Sequence, residues 1–106
     1  MDARAEVILK ELRKRFEVFY GNRLAHMVLF GSRARGDAEQ DSDFDVLVVL
    51  HGPVNAGKEI ERTVSIVSDL CLASDALISC VFMDRERYEQ KGGPLLRNIR
   101  KEGVAV

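Results

Sequence analysis

Apolar positions three and four residues apart run through Ala5, Ile8, Leu9, Leu12, Phe16 and Phe19, with Arg and Glu between them. This spacing predicts an amphipathic helix that Asp2 caps and Tyr20-Gly21-Asn22 ends. The apolar run Leu24–Phe30 has the length of a strand and is too short for a helix. Residues 31–40 mix Gly, Ser and charge, fitting a tight turn plus at most two helical turns. A second strand is expected over 43–50 (DFDVLVVL), which is rich in β-branched residues and opens on carboxylates. Gly52-Pro53 and Asn55 mark a loop over 51–57. Over 58–72, Ile60, Val64, Val67 and Leu70/Cys71 form one stripe of another helix. A third apolar strand is expected over 75–83, followed by a short helix that Asp84 caps and that reaches about Gln90. Gly92-Gly93-Pro94 breaks the chain, and Leu95, Leu96 and Ile99 face inward from a last helix closed by Gly103.

The order α-β-(α)-β-α-β-α-α predicts a small α/β domain, a mixed three-stranded sheet with helices packed on it. The twelve-residue link between the first two strands is short for a parallel crossover, so that pair is expected to be antiparallel. A full helix separates the second and third strands, which are expected to be parallel through a right-handed crossover. Without an internal repeat or linker, 1–106 reads as a single domain.

Hydrophobic residues at 46% and charged residues at 31% exclude a disordered chain. Sixteen Lys and Arg against seventeen Asp and Glu give a net charge of −1, which argues against direct nucleic-acid or membrane-surface binding. The longest apolar run, 46–50, is far too short to cross a bilayer, and residues 1–14 are charged throughout, so no secretory leader is expected. The expectation is a cytoplasmic protein in which Cys71 and Cys80 are buried thiols rather than a bridge.

The chemistry concentrates in Gly31-Ser32, ten further residues, then Asp43-Phe44-Asp45. Residues two apart on a strand share a face, so Asp43 and Asp45 project together and repel. A hard divalent cation such as Mg²⁺ relieves that repulsion. Gly31-Ser32, at the end of one strand and the start of a turn, offers N–H groups and a hydroxyl as a phosphate cradle. Cradle and metal pair together suit attack on a nucleoside triphosphate.

Residues 29–50, LFGSRARGDAEQDSDFDVLVVL, resemble the signature of the nucleotidyltransferase superfamily with the DNA polymerase β-like fold. Within it they are most similar to the minimal nucleotidyltransferases, the MntA-like partners of HEPN-domain proteins. G-S-x₁₀-D-x-D is matched in full, Ala34-Arg35-Gly36 and Ser42 also fit, and the tail over 94–104 is similar more weakly. The resemblance implies the mixed three-stranded sheet, binding of ATP or another NTP with Mg²⁺ (or Mn²⁺), and transfer of a nucleotide, usually AMP, to a hydroxyl. Gly31 and Ser32 would hold the β- and γ-phosphates, and Asp43 and Asp45 the metal. Arg35 would neutralise triphosphate charge or bridge to Asp37 or Asp41. The resemblance further implies a HEPN-type toxin as partner, with a tyrosine as acceptor. It also implies a third carboxylate on the third strand, where Leu77 stands at the expected position. Asp75, two residues earlier, serves as the third catalytic carboxylate if the strand begins early, and otherwise only caps or ends the preceding loop.

Two function classes follow: an enzyme that moves AMP from ATP to a partner's hydroxyl, and a nucleotide-binding module with a weakened site that neutralises a HEPN-type partner by occlusion. In a chain this small the cleft lies open, so a partner or a self-dimer is expected to complete it. A remote third reading is a P-loop over Gly52–Lys58, which fits G-x₄-G-K but places Glu59 where a Ser or Thr should meet Mg²⁺. A calcium loop from Asp41 fails, with Val46 at its sixth position and Gly52 at its twelfth. His26 and His51 lack Cys or His partners and read as structural or solvated.

Overall fold

A computed structural model describes residues 2–36, 42–90 and 92–106. Asp2 accepts from the Ala5 N–H at 2.7 Å and starts α1 (Ala3–Tyr20), which buries Ala5, Ile8, Leu9, Leu12, Phe16 and Tyr20. Phe19 is 38% exposed rather than inward, because Tyr20 takes the core position and Phe19 packs edge-on against its ring. Next come β1 (Leu24–Phe30), the single turn α2 (Ser32–Arg35) and β2 (Phe44–Leu50).

Asn55 caps α3 (Ala56–Ser74), which leads into β3 (Ile78–Asp84). The expected apolar stripe of α3 is inward only in its second half, where Leu70 is buried and Val67 and Cys71 pack against the core. Glu59, Thr63 and Leu70 are buried, while Ile60 and Val64 are more than half exposed. The buried polar residues are satisfied, since the Tyr20 hydroxyl donates to Glu59 Oε1 at 2.8 Å and the Thr63 hydroxyl donates to Glu59 O at 2.7 Å. Burial of polar atoms is tolerated on those terms, and the helix rotates accordingly. Asp84 caps α4 (Arg85–Glu89) as expected, and α5 (Pro94–Glu102) buries Leu96 and Ile99 but leaves Leu95 41% exposed.

Among the described residues the sheet has order β3-β2-β1-β4, with four strands rather than three. The added β4 (Val104–Ala105) pairs antiparallel with β1. A two-residue strand lies below what periodicity can register. β1 and β2 pair antiparallel and β2 and β3 parallel, as the link lengths required. Phe44, Val46, Val48 and Leu50 face α1 and α3, while Leu47 and Val49 face the α5 side with Leu96 and Ile99. Both faces of β2 are thus covered beyond its first residues, and the open end of the sheet lies at Asp43 and Asp45. Cys71 and Cys80 are free thiols, half buried, and burial, with the neighbouring Cys71, pushes the Cys80 thiol up to about 12. Among the described residues no helix is long and apolar enough to cross a membrane.

Candidate functional site at the open end of the sheet

β1 delivers the chain to Gly31, whose φ of 78° and ψ of −160° are open in practice to glycine alone. A methyl group at position 31 would lie 2.6 Å from Asp45 Oδ2. Phe30 pairs with Asp45 across the ladder, so the turn after β1 folds directly over that carboxylate. The Ala34 and Arg35 N–H groups both donate to Gly31 O at 3.1 Å, closing the single turn of α2. Ser32 opens that turn, and the first N–H groups of any helical turn have no intrahelical acceptor. The two halves of the sequence signature therefore meet at Gly31 and Asp45.

Asp43 is exposed one residue before β2, and Asp45 is half buried at the second position of that strand. Burial first, and then the negative charge of Asp43, push the Asp45 carboxyl above the usual carboxylate range. A cation between the two would remove both penalties. Two hard oxygen donors on one face, with room left for phosphate oxygens and water, fit the way Mg²⁺ is held beside a nucleotide. Among the described residues no group of three or more His, Cys, Asp or Glu could hold a metal ion.

The third strand departs from expectation. α3 runs two residues beyond Leu72, and Asp75 then caps it in the left-handed conformation, φ 50° and ψ 50°. The Ala76 N–H reaches back to Cys71 O at 3.1 Å, the closing bond of a Schellman turn. β3 accordingly begins at Ile78, not at 75. Asp75 is exposed off the strand, and its carbonyl accepts from Arg4 at 2.8 Å. In the parallel register Asp45 stands level with Ser79, and the Phe44 N–H donates to Leu77 O at 2.8 Å. The residue beside Asp45 on β3 is a serine, which the sequence reasoning did not single out.

Arg33 is a second residue that local spacing does not single out. Its guanidinium donates to Ser42 O from Nε at 3.1 Å and from Nη2 at 2.9 Å, and lies 4.3 Å from the centre of the Phe44 ring. It ties α2 to the start of β2 across nine residues and holds the two halves of the site together. Nothing in local spacing announces such a contact. Arg35 pairs with Glu102 of α5 at 3.2 Å, while Asp37 and Asp41, its other expected partners, lie outside the described residues.

The segment Gly52–Lys58 forms no phosphate loop. Asn55 Oδ1 accepts from the Lys58 N–H at 3.2 Å, so the side-chain cap already occupies the helix start. Glu59 turns inward to Tyr20, to Arg23 at 3.3 Å and to Arg62 at 2.9 Å. His51 is exposed, as is His26, whose ring lies 5.3 Å from that of Tyr88.

Known proteins bear on this geometry. A Methanocaldococcus jannaschii protein named "Putative protein adenylyltransferase MJ0141" is 38% identical over 72 residues, covering 68% of this chain and 72% of its own. A second protein of that organism, MJ0604, carries the same description and is 29% identical over 99 residues, 92% and 93% of the two chains. Two solved structures share the fold. A toxin–antitoxin complex with AMP-PNP gives a TM-score of 0.61 at 20% identity, covering 92% of this chain and 68% of the other. A mutant MntA–HpeT toxin–antitoxin complex gives 0.59 at 18% identity, covering 94% and 69%. The nucleotidyltransferase domain family matches residues 6–102, a span that holds Gly31, Ser32, Asp43 and Asp45, and the chain belongs to that family.

Proposed function

We propose that the chain is a metal-dependent nucleotidyltransferase that moves AMP from ATP to a hydroxyl of a partner protein. The observation that carries this reading is the close approach of Gly31 to the Asp45 carboxylate, which sets a phosphate-cradling turn against a metal-binding pair. Gly31 and Ser32 would receive the β- and γ-phosphates, and Asp43 and Asp45 would hold Mg²⁺. When bound, the cation neutralises triphosphate charge and makes the α-phosphorus more electrophilic. The acceptor oxygen bonds to the α-phosphorus, the bond to the β-phosphate oxygen breaks, and pyrophosphate leaves. The acceptor's proton passes to water, since the residue of β3 beside Asp45 is Ser79 and the strand's one carboxylate, Asp84, stands at its far end beside Leu50.

The toxin–antitoxin complexes of similar fold, one of them described as a tri-AMPylated Shewanella oneidensis HEPN toxin with an MNT antitoxin (TM-score 0.51, 16% identity), favour a HEPN-type partner. The placement of Asp75 off β3 favours the second reading, a nucleotide-binding module that acts mainly by occlusion. ATP labelled separately at the α- and γ-phosphates, given with Mg²⁺ to the chain and a co-expressed HEPN-domain protein, distinguishes them. Transfer of the α-label alone, lost with Asp45→Ala, is the expected result. Tight binding of both proteins without any labelling would support the occluding module instead.

A further inference from the structure

Ile60 and Val64, which α3 leaves exposed, lie beside an outer strand of the sheet. Among the described residues β3 is the outermost strand, and Ile78–Met83 carries no charge, no proline and no bulge against β2. Edges are ordinarily blunted by such devices, and this one is not. Between it and α3 runs a groove of about 580 Å³ lined by Ile60, Val64, Leu72, Cys80 and Phe82 among other uncharged residues. Leu72 is 83% exposed and Leu77 63%. The groove shares Leu72 and Leu77 with a second hollow of about 700 Å³ that reaches Ser42, the neighbour of Asp43.

Strand alternation decides what such an edge can do. Ile78, Cys80 and Phe82 face α3, whereas Ser79, which also lines the groove, and Val81 lie on the face of Asp45 and Leu47. An extended segment laid along β3 would therefore place one set of side chains in the apolar groove and the alternate set beside Ser79. That second set lies about 10 Å, two strand spacings, from the strand that carries Asp45. Resting on the proposed transfer reaction, we infer that an extended, apolar segment of the acceptor protein adds to β3 as a further strand. Its groove-facing residues anchor it, and a hydroxyl-bearing residue of the other set faces the carboxylate pair. Main-chain pairing gives such a complex affinity, and the alternate side chains give it selectivity. A triphosphate has no use for an uncharged groove. A second copy paired antiparallel about Val81 would bring its own Asp84 opposite Ile78, adding negative charge next to Asp43 and Asp45.

Ile60→Glu and Val64→Glu test the inference, since both positions are exposed on α3, line the groove and lie outside the hollow that reaches Ser42. The purified chain, each variant and Asp45→Ala are incubated with α-labelled ATP, Mg²⁺ and lysate of the organism that encodes the chain. The expected result is a labelled protein with wild type, none with Asp45→Ala, and labelling lower by about tenfold or more with each groove variant, as loss of a central apolar anchor gives. ATP–Mg²⁺ affinity of the groove variants, read by calorimetry, should stay within about twofold, showing that they fold. Labelling that survives both groove variants overturns the docking surface while leaving the transfer reading intact. No labelled protein with wild type overturns the transfer reading, and the docking surface with it. A wild-type dimer that Val64→Glu converts to monomers, seen by light scattering, assigns the edge to a second copy and also overturns the inference.

Discussion

Gly31 shows how much of the site one residue carries. Its backbone conformation excludes a side chain, and so does the Asp45 oxygen 2.6 Å from where a Cβ would be. Gly31→Ala should cost about 1–3 kcal/mol of stability. Because the methyl group must displace Asp45 or reopen the turn, ATP–Mg²⁺ binding should also fall by at least tenfold, on the order of the 1.4 kcal/mol that a lost charged contact exceeds. Calorimetry with ATP–Mg²⁺ beside a denaturant melt reads both effects, and unchanged affinity would show that Gly31 does not position the carboxylate. The pattern of Gly31, Ser32, Asp43 and Asp45 was legible in the sequence because each half combines a backbone requirement with a strand-face requirement at fixed spacing. Ser79 and Arg33 were not legible. Their places depend on the β2–β3 register and on a guanidinium reaching Ser42 O, which are properties of the folded chain.

At the scale of elements, the first two strands, the Asp2 and Asp84 caps and the direction of pairing followed from the sequence, since caps act locally and link lengths limit the crossovers. Asn55, read there as loop, instead caps α3, β3 begins at Ile78 rather than at 75, and β4 was not expected. α3 was misread where a long-range contact overrode the local pattern. The first half of its apolar stripe, Ile60 and Val64, faces out because Glu59 is bound inward by Tyr20, Arg23 and Arg62, while Val67, Leu70 and Cys71 face the core as expected. Burial raises the Glu59 carboxyl, but the Tyr20 and Arg23 hydrogen bonds, with the Arg23 and Arg62 charges, more than offset this and hold it below its ordinary 4.5. A depressed carboxyl stabilises the fold fully above that ordinary value and loses its contribution as pH falls through the folded value. Glu59→Gln keeps the shape but loses the charge. After discount for the half-exposed Arg62, it should cost about 1–2 kcal/mol at neutral pH. The gap to wild type should then narrow steadily below pH 4.5, the ordinary value for this side chain. Urea melts of both proteins from pH 7 to pH 3 check this. A gap that is constant with pH would mean that the carboxylate's charge does not anchor α3.

At the scale of the whole molecule, the two strands that meet at the site are also the centre of the sheet. β1 ends at Phe30 and β2 begins at Phe44, and residues 46 to 50 of β2 are fully buried between the two helical layers. Asp43 and Asp45 are thus the solvent end of the strand on which both cores are built, and ligand bound there should stabilise the domain as a unit. The unliganded site carries a burden of like charge, because burial and Asp43 together raise the Asp45 carboxyl. Nucleotide without cation would add more negative charge to that end of the sheet, whereas nucleotide with cation would remove it. Thermal unfolding should therefore respond to the pair and not to either ion of opposite sign in isolation. At a hundredfold excess over the dissociation constant, ATP–Mg²⁺ contributes about 2.7 kcal/mol. For a domain of this length that raises the unfolding midpoint by roughly 10 °C. ATP with a chelator should leave the midpoint unchanged or lower it, and Mg²⁺ alone should raise it only slightly. Asp43→Ala and Asp45→Ala should abolish the joint shift, and their own midpoints without ligand should match or slightly exceed that of wild type, since each removes one of two repelling carboxylates. Equal shifts with and without the chelator would show that the carboxylate pair does not bind a cation with the nucleotide, and would leave Gly31 and Ser32 as the whole of the binding site.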